Sequence, residues 1–586
     1  MCGLAGIVRF DAPATHSRDA VAKLCGRLRH RGPDGTGQAE ASFAALGHTR
    51  LAMLDPANGA QPFRSADGRF LLVYNGELYN HRGLRSRLQG PFRTNTDTET
   101  LLRAWETWGE GCVAELDGMF SFFIWDELRK CGFAVRDRLG VKPFWFIESP
   151  FFAFASEAKA LLPLLTARRV DVVAAVEYLV AAPFSGVARS PFQGIRPLLP
   201  GHLLRVDAGG IEIRRYWQWK PDAANRLDPS EAATAVREAL ESGVRASLES
   251  DAPLGIFLSG GLDSTAIAAM ASATGARLPS FTLTFDEDAR VERDSSRLVI
   301  SDDEPYARSA AAGLDLPLRE AHLSCADIAA ELKAVARVDD ALPAWEQELS
   351  QRTLARVASR SVKGVLVGDA ADETHYGYHF LLDEEATQHP SVILRRLGTV
   401  PIRRDVDPDP VGSCSREYIA LAEEAGATFG PGAGGLTAMT HLIVRRWLPR
   451  LLHNGDIHCM AFGLEPRVPF CSSRLVELAQ RVAAPDATAR GVEKSILREA
   501  LRGVVPEDVR LRKKSALPKH QRVDEVYRRE AAAVARDPHA LVNALVDVER
   551  LAPLMTKPRL TEPERAQLFR VICLHHWASS WEVQPP

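Results

Sequence analysis

The amino-acid sequence predicts an α+β sandwich followed by an α/β domain on a parallel sheet, with a largely helical C-terminal part. Three observations predict this. Short apolar, partly alternating runs crowd the first part of the chain and are separated by Gly, Asn, Asp and Pro. After a polar, Pro-containing stretch at 215–228, apolar runs alternate with helical patterns, as parallel strands joined by helical crossovers do. From about Gly430 onward the pattern is mainly helical. The chain has 586 residues, too many for one core. The change of pattern divides it into 2–214 and 229–586.

In chain order, LAGIVRF, FAALGHTRLAML, RFLLVYNGELYN, GMFSFFIWD, CGFAVRD and PFWFIE read as strands. DAVAKLCGRLRH and TDTETLLRAWETWG carry apolar residues at helical spacing. PSEAATAVREALESGVRASL reads as a long helix, with Ser230 and Glu231 suited to its N-terminus. PLGIFLSGGLDSTAIAAMASA follows as strand, glycine turn and helix; LPSFTLTF and KGVLVGDAADE read as buried strands. Residues 286–304 form a charged, loop-like stretch.

Apolar residues make up 46% and charged residues 25%, the values of an ordinary folded chain. A formal net charge of -3 gives no field that would gather nucleic acid or a membrane surface. There is no basic, apolar leader and no apolar run of spanning length, so neither a secretory signal nor a membrane helix is expected. The nine cysteines show no C-x-x-C spacing and point to a reducing cytoplasm.

Three motifs carry chemistry. Cys2 follows the initiator Met, and so small a second residue permits removal of Met1. The freed α-amine has a pKa near 8 and can take the thiol proton, making a nucleophile without a histidine. The bland alternative is a chance cysteine at a frayed end. Second, LSGGLDS (258–264) lies between an apolar strand and a helix. Successive N–H groups of Ser259, Gly260, Gly261 and Ser264 at a helix N-terminus form an anion cradle, and Asp263 can reach Mg2+. The G-K-[ST] ending of a Walker loop is absent. Third, VGDAADETHYGY (367–378) brings Asp369, Asp372 and Glu373 to the carboxyl end of a strand, where ligands gather in such sheets and where carboxylates can hold Mg2+. A solvated acidic loop is the alternative. Asn75-Gly76 taken alone reads as a hairpin turn.

In order along the chain, CGLAGI, RHRGPDG, GHTRLAMLD, YNGELYN, TNTDTETLL, RDRLGVKPFWF and ASEAKAL resemble the glutaminase domain of N-terminal-nucleophile amidotransferases. LSGGLDS looks like the pyrophosphate loop of ATP-pyrophosphatases. With FQGIRPLLPGHLL, MAFGLEPRVPF, GVEKSILREAL and RKKSALP, nearly the whole chain resembles the glutamine-hydrolysing asparagine synthetases. The resemblance implies glutamine cleavage at Cys2, with Asn75 and Gly76 as oxyanion donors. It places Arg50, Leu51, Glu77 and Asp97 around the glutamine, Arg50 on its carboxylate and Asp97 on its ammonium. It implies ATP bound by Leu258, Ser259, Gly260, Gly261, Asp263, Ser264, Leu283, Val367 and Gly368, and Mg2+ at Asp263 and Asp372. Lys514 becomes a candidate for stabilising charge on the intermediate, and Lys494 reads as structural or peripheral. Ammonia then passes through the protein to an adenylated carboxylate acceptor, aspartate by default. A homodimer is compatible with the resemblance.

The sequence departs from the family pattern in its second half. Ala370 and Ala371 replace more flexible residues, Trp345 stands in a segment of small residues, Ile457 stands where arginine is usual, and Cys471-Ser472 follow Pro469-Phe470. These departures are expected to gather near the acceptor pocket. They keep open an amidotransferase for a different carboxylic acid in specialised metabolism and, from another class, a non-catalytic binding protein with the same fold. A β-lactam-forming relative is disfavoured by the intact Cys2.

Overall fold

The computed structural model describes residues 2–148, 150–185, 187–286, 303–515 and 517–585. Of the charged stretch 286–304, residues 287–302 lie outside the described residues.

The first half is two antiparallel sheets packed face to face. One has the order β10-β8-β9-β1-β3-β2, built from β1 (Gly3–Val8), β2 (Gly35–Glu40), β3 (Ala44–Arg50), β8 (Trp145–Ile147), β9 (Phe152–Ala155) and β10 (Arg196–Pro197). The other has the order β12-β11-β7-β6-β5-β4, from β4 (Phe63–Arg64), β5 (Phe70–Leu78), β6 (Gly118–Asp126), β7 (Cys131–Arg136), β11 (His202–Asp207) and β12 (Gly210–Arg215). Side chains alternate across each strand. Leu4, Leu46, Val73, Phe123 and Phe154 thereby meet in the space between the sheets. The Phe123 and Phe154 rings stack with centroids 4.5 Å apart. Each outer face is covered by a helix whose apolar stripe the sequence shows: Arg18–Arg27 over the first sheet, through Val21, Leu24 and Cys25, and Asp97–Trp108 over the second, through Leu101, Leu102 and Trp105.

The second half holds one parallel sheet in the order β15-β14-β13-β16-β17, from β13 (Leu254–Phe257), β14 (Ser280–Phe285), β15 (Leu318–Leu323), β16 (Gly364–Leu366) and β17 (Glu465–Arg467). The long helix expected after the polar stretch runs Pro229–Ser247. Its N-cap is Asp228, whose carboxylate accepts from Ser230 N at 2.9 Å. From residue 433 on, the regular elements among the described residues are helices apart from β17.

Several strands escape the sequence reading for identifiable reasons. β12 is mostly exposed and β15 carries the polar run LREAHL, so neither shows an apolar core pattern. β17 is three residues long and reads EPR, yet it is buried, because Arg467 Nε meets Glu465 Oε1 at 2.7 Å.

The two halves are tied by buried charge and by packing. Arg31 Nη1 lies 2.9 Å from Glu157 Oε1 in its own half and 2.8 Å from Asp456 Oδ2 in the other. The last helix, Glu562–Trp581, buries Trp577 against Phe192 of the first half, ring centroids 4.6 Å apart. Trp577→Ala is expected to destabilise the protein by about 3–5 kcal/mol, the cost of an unfilled aromatic site, read as a lowered thermal midpoint.

Candidate functional site

The first centre forms where the start of β1 meets the middle of β5. Cys2 is buried, and its N–H donates to Asn75 Oδ1 at 2.9 Å. Asn75 and Gly76 are not a hairpin turn: they sit inside β5, opposite Ser121 and Phe120 of β6. A side chain on Gly76 would place its Cβ 2.1 Å from Met119 O, so only glycine fits that close approach of strands. Asn75 is fully buried, its oxygen is taken by Cys2, and its Nδ2 has no hydrogen-bond partner among the described residues. A buried donor left unmade is costly, and it points to a bound group that would accept from it. Leu51 O lies 4.0 Å from the Cys2 sulfur. Burial pushes the Cys2 thiol up from its ordinary range, so a nearby base is needed to ionise it.

The remaining glutamine-binding candidates lie at the end of β3, on β5 and at the start of the helix Asp97–Trp108. Arg50 ends β3, and its guanidinium is held by Leu54 O at 3.0 Å, Asp55 O at 2.8 Å and Pro56 O at 2.7 Å. A Cβ on Gly59 would meet both Arg50 and Thr96, so that loop packs between Arg50 and the N-cap of the helix that Asp97 begins. Asp97 Oδ2 accepts from Tyr74 Oη at 2.7 Å and Leu78 N at 3.0 Å, while burial raises its pKa. Glu77 is buried beside Arg467, whose Nη2 is 3.4 Å away. Burial and the neighbouring Glu465 raise the Glu77 carboxyl well above its usual range.

Asn75→Ala removes the unpartnered donor. It is expected to slow glutamine hydrolysis by about 10²-fold, the range for one oxyanion donor, with ammonia-supported turnover unchanged in the same preparation.

The second centre lies at the carboxyl ends of β13, β14 and β16. A cavity of about 250 Å³ opens there, and Leu258, Ser259, Asp263, Ser264, Leu283, Val367, Gly368, Asp372 and Lys514 all line it. Gly260 and Gly261 belong to the same turn. Gly260 has a φ of 68° and lies against the Tyr306 backbone, where a Cβ would come within 2.3 Å. Ser259 Oγ and Ser264 Oγ are 3.0 Å apart, and Gly261 N donates to Ser259 Oγ at 3.3 Å. The helix Leu262–Ala273 starts from this turn and aims its N-terminal N–H groups at the cavity mouth.

The charge arrangement corrects one expectation. Lys494 is not peripheral. It is buried, and its Nζ lies 2.6 Å from Asp263 Oδ2 and 2.6 Å from Asp372 Oδ1; Lys514 Nζ is 2.5 Å from Asp372 Oδ2. Against the cost of burial, the two lysines hold Asp372 well below the carboxylate range. Asp369 is pushed up to about 6 by burial, opposed by Lys514. Glu373 is pushed up to about 8 by burial and by the charge of Asp372. The acidic cluster is therefore a buried cation–carboxylate network and not a solvated loop. Local sequence gave little sign of Lys494's place, because it is brought in from 231 residues away in a left-handed turn just before the helix Ser495–Ala500.

The departures from the family pattern divide between the cavity wall and the interior. Trp345 lines the cavity, alongside Tyr378 and Trp447. Ile457 and Cys471 are packed in the interior, and Asp456 faces the first half, on Arg31. Ala370 sits at a φ of 76°, a strained conformation for any residue with a Cβ. Ala370→Gly is expected to stabilise the fold by about 1 kcal/mol, measured as a raised thermal midpoint.

Comparison with known proteins places these two centres in matching regions. Residues 1–217 match the family model described as a glutamine amidotransferase domain, and residues 235–579 match the model described as asparagine synthase. Asparagine synthetase [glutamine-hydrolyzing] 3 of Bacillus subtilis (strain 168) is 31% identical over 540 residues, 89% of this chain and 87% of that one. Asparagine synthetase [glutamine-hydrolyzing] 1 of the same organism is 26% identical over 565 residues, covering 88% and 87%. A solved glutamine phosphoribosylpyrophosphate amidotransferase from B. subtilis aligns with 63% of this chain and 82% of its own, at 15% identity and a TM-score of 0.29, too low to bear on the fold. With the second family model alone spanning more than half of its length and a 31% identical relative matched over most of it, the chain belongs to the asparagine synthase family.

Proposed function

We propose that the protein is a glutamine- and ATP-dependent amidotransferase of the asparagine synthetase type. Glutamine is cleaved at Cys2, and the ammonia is delivered to a carboxylate activated by ATP in the second centre. The observation that carries the reading is the buried, unpartnered Nδ2 of Asn75 beside Cys2, in a chain that also presents a glycine-turn phosphate cradle.

Removal of Met1 turns the Cys2 nitrogen into an α-amine. It is already oriented by Asn75 Oδ1 at 2.9 Å and is placed to take the thiol proton. The thiolate attacks the glutamine amide, and Asn75 Nδ2 and Gly76 N donate to the oxyanion. Arg50 meets the glutamine carboxylate and Asp97 its ammonium. In the second centre the turn Ser259–Gly261 and Ser264 receive the phosphates of ATP. Lys494 and Lys514 then neutralise charge as pyrophosphate leaves.

The donor set fits Mg2+. Asp263 and Asp372 offer hard carboxylate oxygens, and Asp263 Oδ1 is buried with no hydrogen-bond partner among the described residues. When bound, the cation would share the phosphate charge with the two lysines. Aspartate is the default acceptor, and assembly as a homodimer belongs to the same reading.

The test is pyrophosphate exchange into ATP, screened over carboxylic acids with Mg2+ present. Exchange that depends on one acid identifies the acceptor. No exchange with any acid, in a preparation that binds ATP, would refute the second half of the reading.

A further inference from the structure

A second cleft, of about 490 Å³, lies between the two halves of the chain. From the first half and the segment that follows it come Arg138, Arg189, Arg215 and Trp217. From the second come Glu417, Glu424, Arg445 and Arg446. Five arginines thus face two glutamates in the cleft, with the buried Glu177 behind Arg189 and Arg446 at 3.3 and 3.2 Å, and the pairing still leaves cations over. Glu417 takes Arg189 at 3.1 Å and also Arg446, and Glu424 lies 3.5 Å from Arg215. Arg445 has no hydrogen-bond or ion-pair partner among the described residues, and the buried Nε of Arg446 and of Arg138 has none either. The surroundings are uniformly unfriendly to further positive charge: burial together with Arg445 and Arg215 lowers the pKa of both His202 and His441, the latter to about 4. Gathering guanidiniums that repel one another has no structural return, whereas guanidinium forks match phosphate and carboxylate.

We propose that this cleft binds a small anionic metabolite bearing a phosphate or carboxylate, with Arg445 and Arg215 on the anion and Trp217 against its organic part. The position of Arg445 gives the site a consequence. Arg445 and Arg446 lie on a single π-helical turn, Ile443–Trp447, a feature frequent at functional sites. The last residue of that turn, Trp447, lines the cavity of the second centre, 5.6 Å from the Trp345 ring and 5.2 Å from that of Tyr378. The helix that continues from the turn, Leu448–Met460, carries Leu451 and Asn454 on the same cavity and Asp456 on Arg31. An anion on the turn therefore bears on the wall of the acceptor cavity and on the join between the halves. This coupling rests on the amidotransferase reading above; the binding does not.

The experiment is calorimetric titration of full-length protein with inorganic phosphate and, separately, with citrate, for the wild type and for Arg445→Gln. At least one ligand is expected to bind the wild type and to lose tenfold or more in affinity in Arg445→Gln, with Arg445→Lys in between. Phosphate alone marks a phosphate site and citrate alone a carboxylate site. Without ligand, Arg445→Gln is expected to melt no lower than the wild type, since it removes repulsion; this separates loss of the site from loss of the fold. Binding of both anions unchanged in Arg445→Gln assigns it to the nucleotide turn and overturns the proposal, as does no binding at all. The saturating anion is expected to shift the acceptor KM at least threefold in the wild type and not in Arg445→Gln. Binding without that shift overturns the coupling. Failure of the wild type to use any acceptor refutes the amidotransferase reading and leaves the binding result standing.

Discussion

Cys2→Ala is expected to abolish glutamine hydrolysis, by a factor of about 10³ or more, while free ammonia still supports product formation at the wild-type rate. Removing a nucleophile ends the covalent route outright, because water held in the same place gains nothing from the thioester. The second centre is untouched by the change. Cys2 contacts β5 and the Leu51 carbonyl, whereas the cavity of the second centre is built from β13, β14 and β16. The measurement is ammonia release from glutamine beside ammonia-dependent turnover, with mass spectrometry of the intact chain to show whether Met1 is gone. Loss of both activities together would mean that Cys2 serves the fold. Loss of neither would remove it from the chemistry.

Lys494→Met is expected to lower pyrophosphate exchange by on the order of 10²–10³-fold while leaving glutamine hydrolysis intact. The physical reason is the sharing of one ammonium between two carboxylates, at 2.6 Å from each. Without it Asp263 keeps no ion-pair partner among the described residues, and Asp372 keeps only Lys514. Negative charge then faces the incoming phosphates where a cation stood. An uncompensated buried carboxylate also costs about 3–5 kcal/mol, so the thermal midpoint falls and high Mg2+ is expected to restore part of it. Lys494→Arg offers a check on role. If a bulk positive charge is enough, exchange recovers; if the compact ammonium is needed between two carboxylates, it does not.

The two centres were legible in the sequence to different depths. Cys2, Asn75, Gly76 and the LSGGLDS turn stood out because their chemistry depends on local features: a terminal position, a residue without a side chain, a strand-to-helix turn. The expected strands around them appear in the structure, since alternation of apolar residues is itself the cause of their burial. What failed was whatever needed a partner from elsewhere. Asn75-Gly76 taken as a pair reads as a turn, and its place inside a strand is set by β6 alongside it. Lys494 reads as structural or peripheral in the sequence, and only the structure closes Asp263 and Asp372 on it.

By itself the sequence determined the order of an antiparallel sandwich and a parallel-sheet domain, the candidates for nucleophile and phosphate turn, and membership of a family that joins the two. These follow from periodicity and short motifs, which act over a few residues. Only the tertiary structure decided which charges neutralise each other, that Asp456 joins the halves through Arg31, that Trp345, Tyr378 and Trp447 share one cavity wall, and that Arg445 is left over. Coulomb interactions and packing are set by distance in space, and residues hundreds apart in the chain come within 3 Å only once both sheets are built.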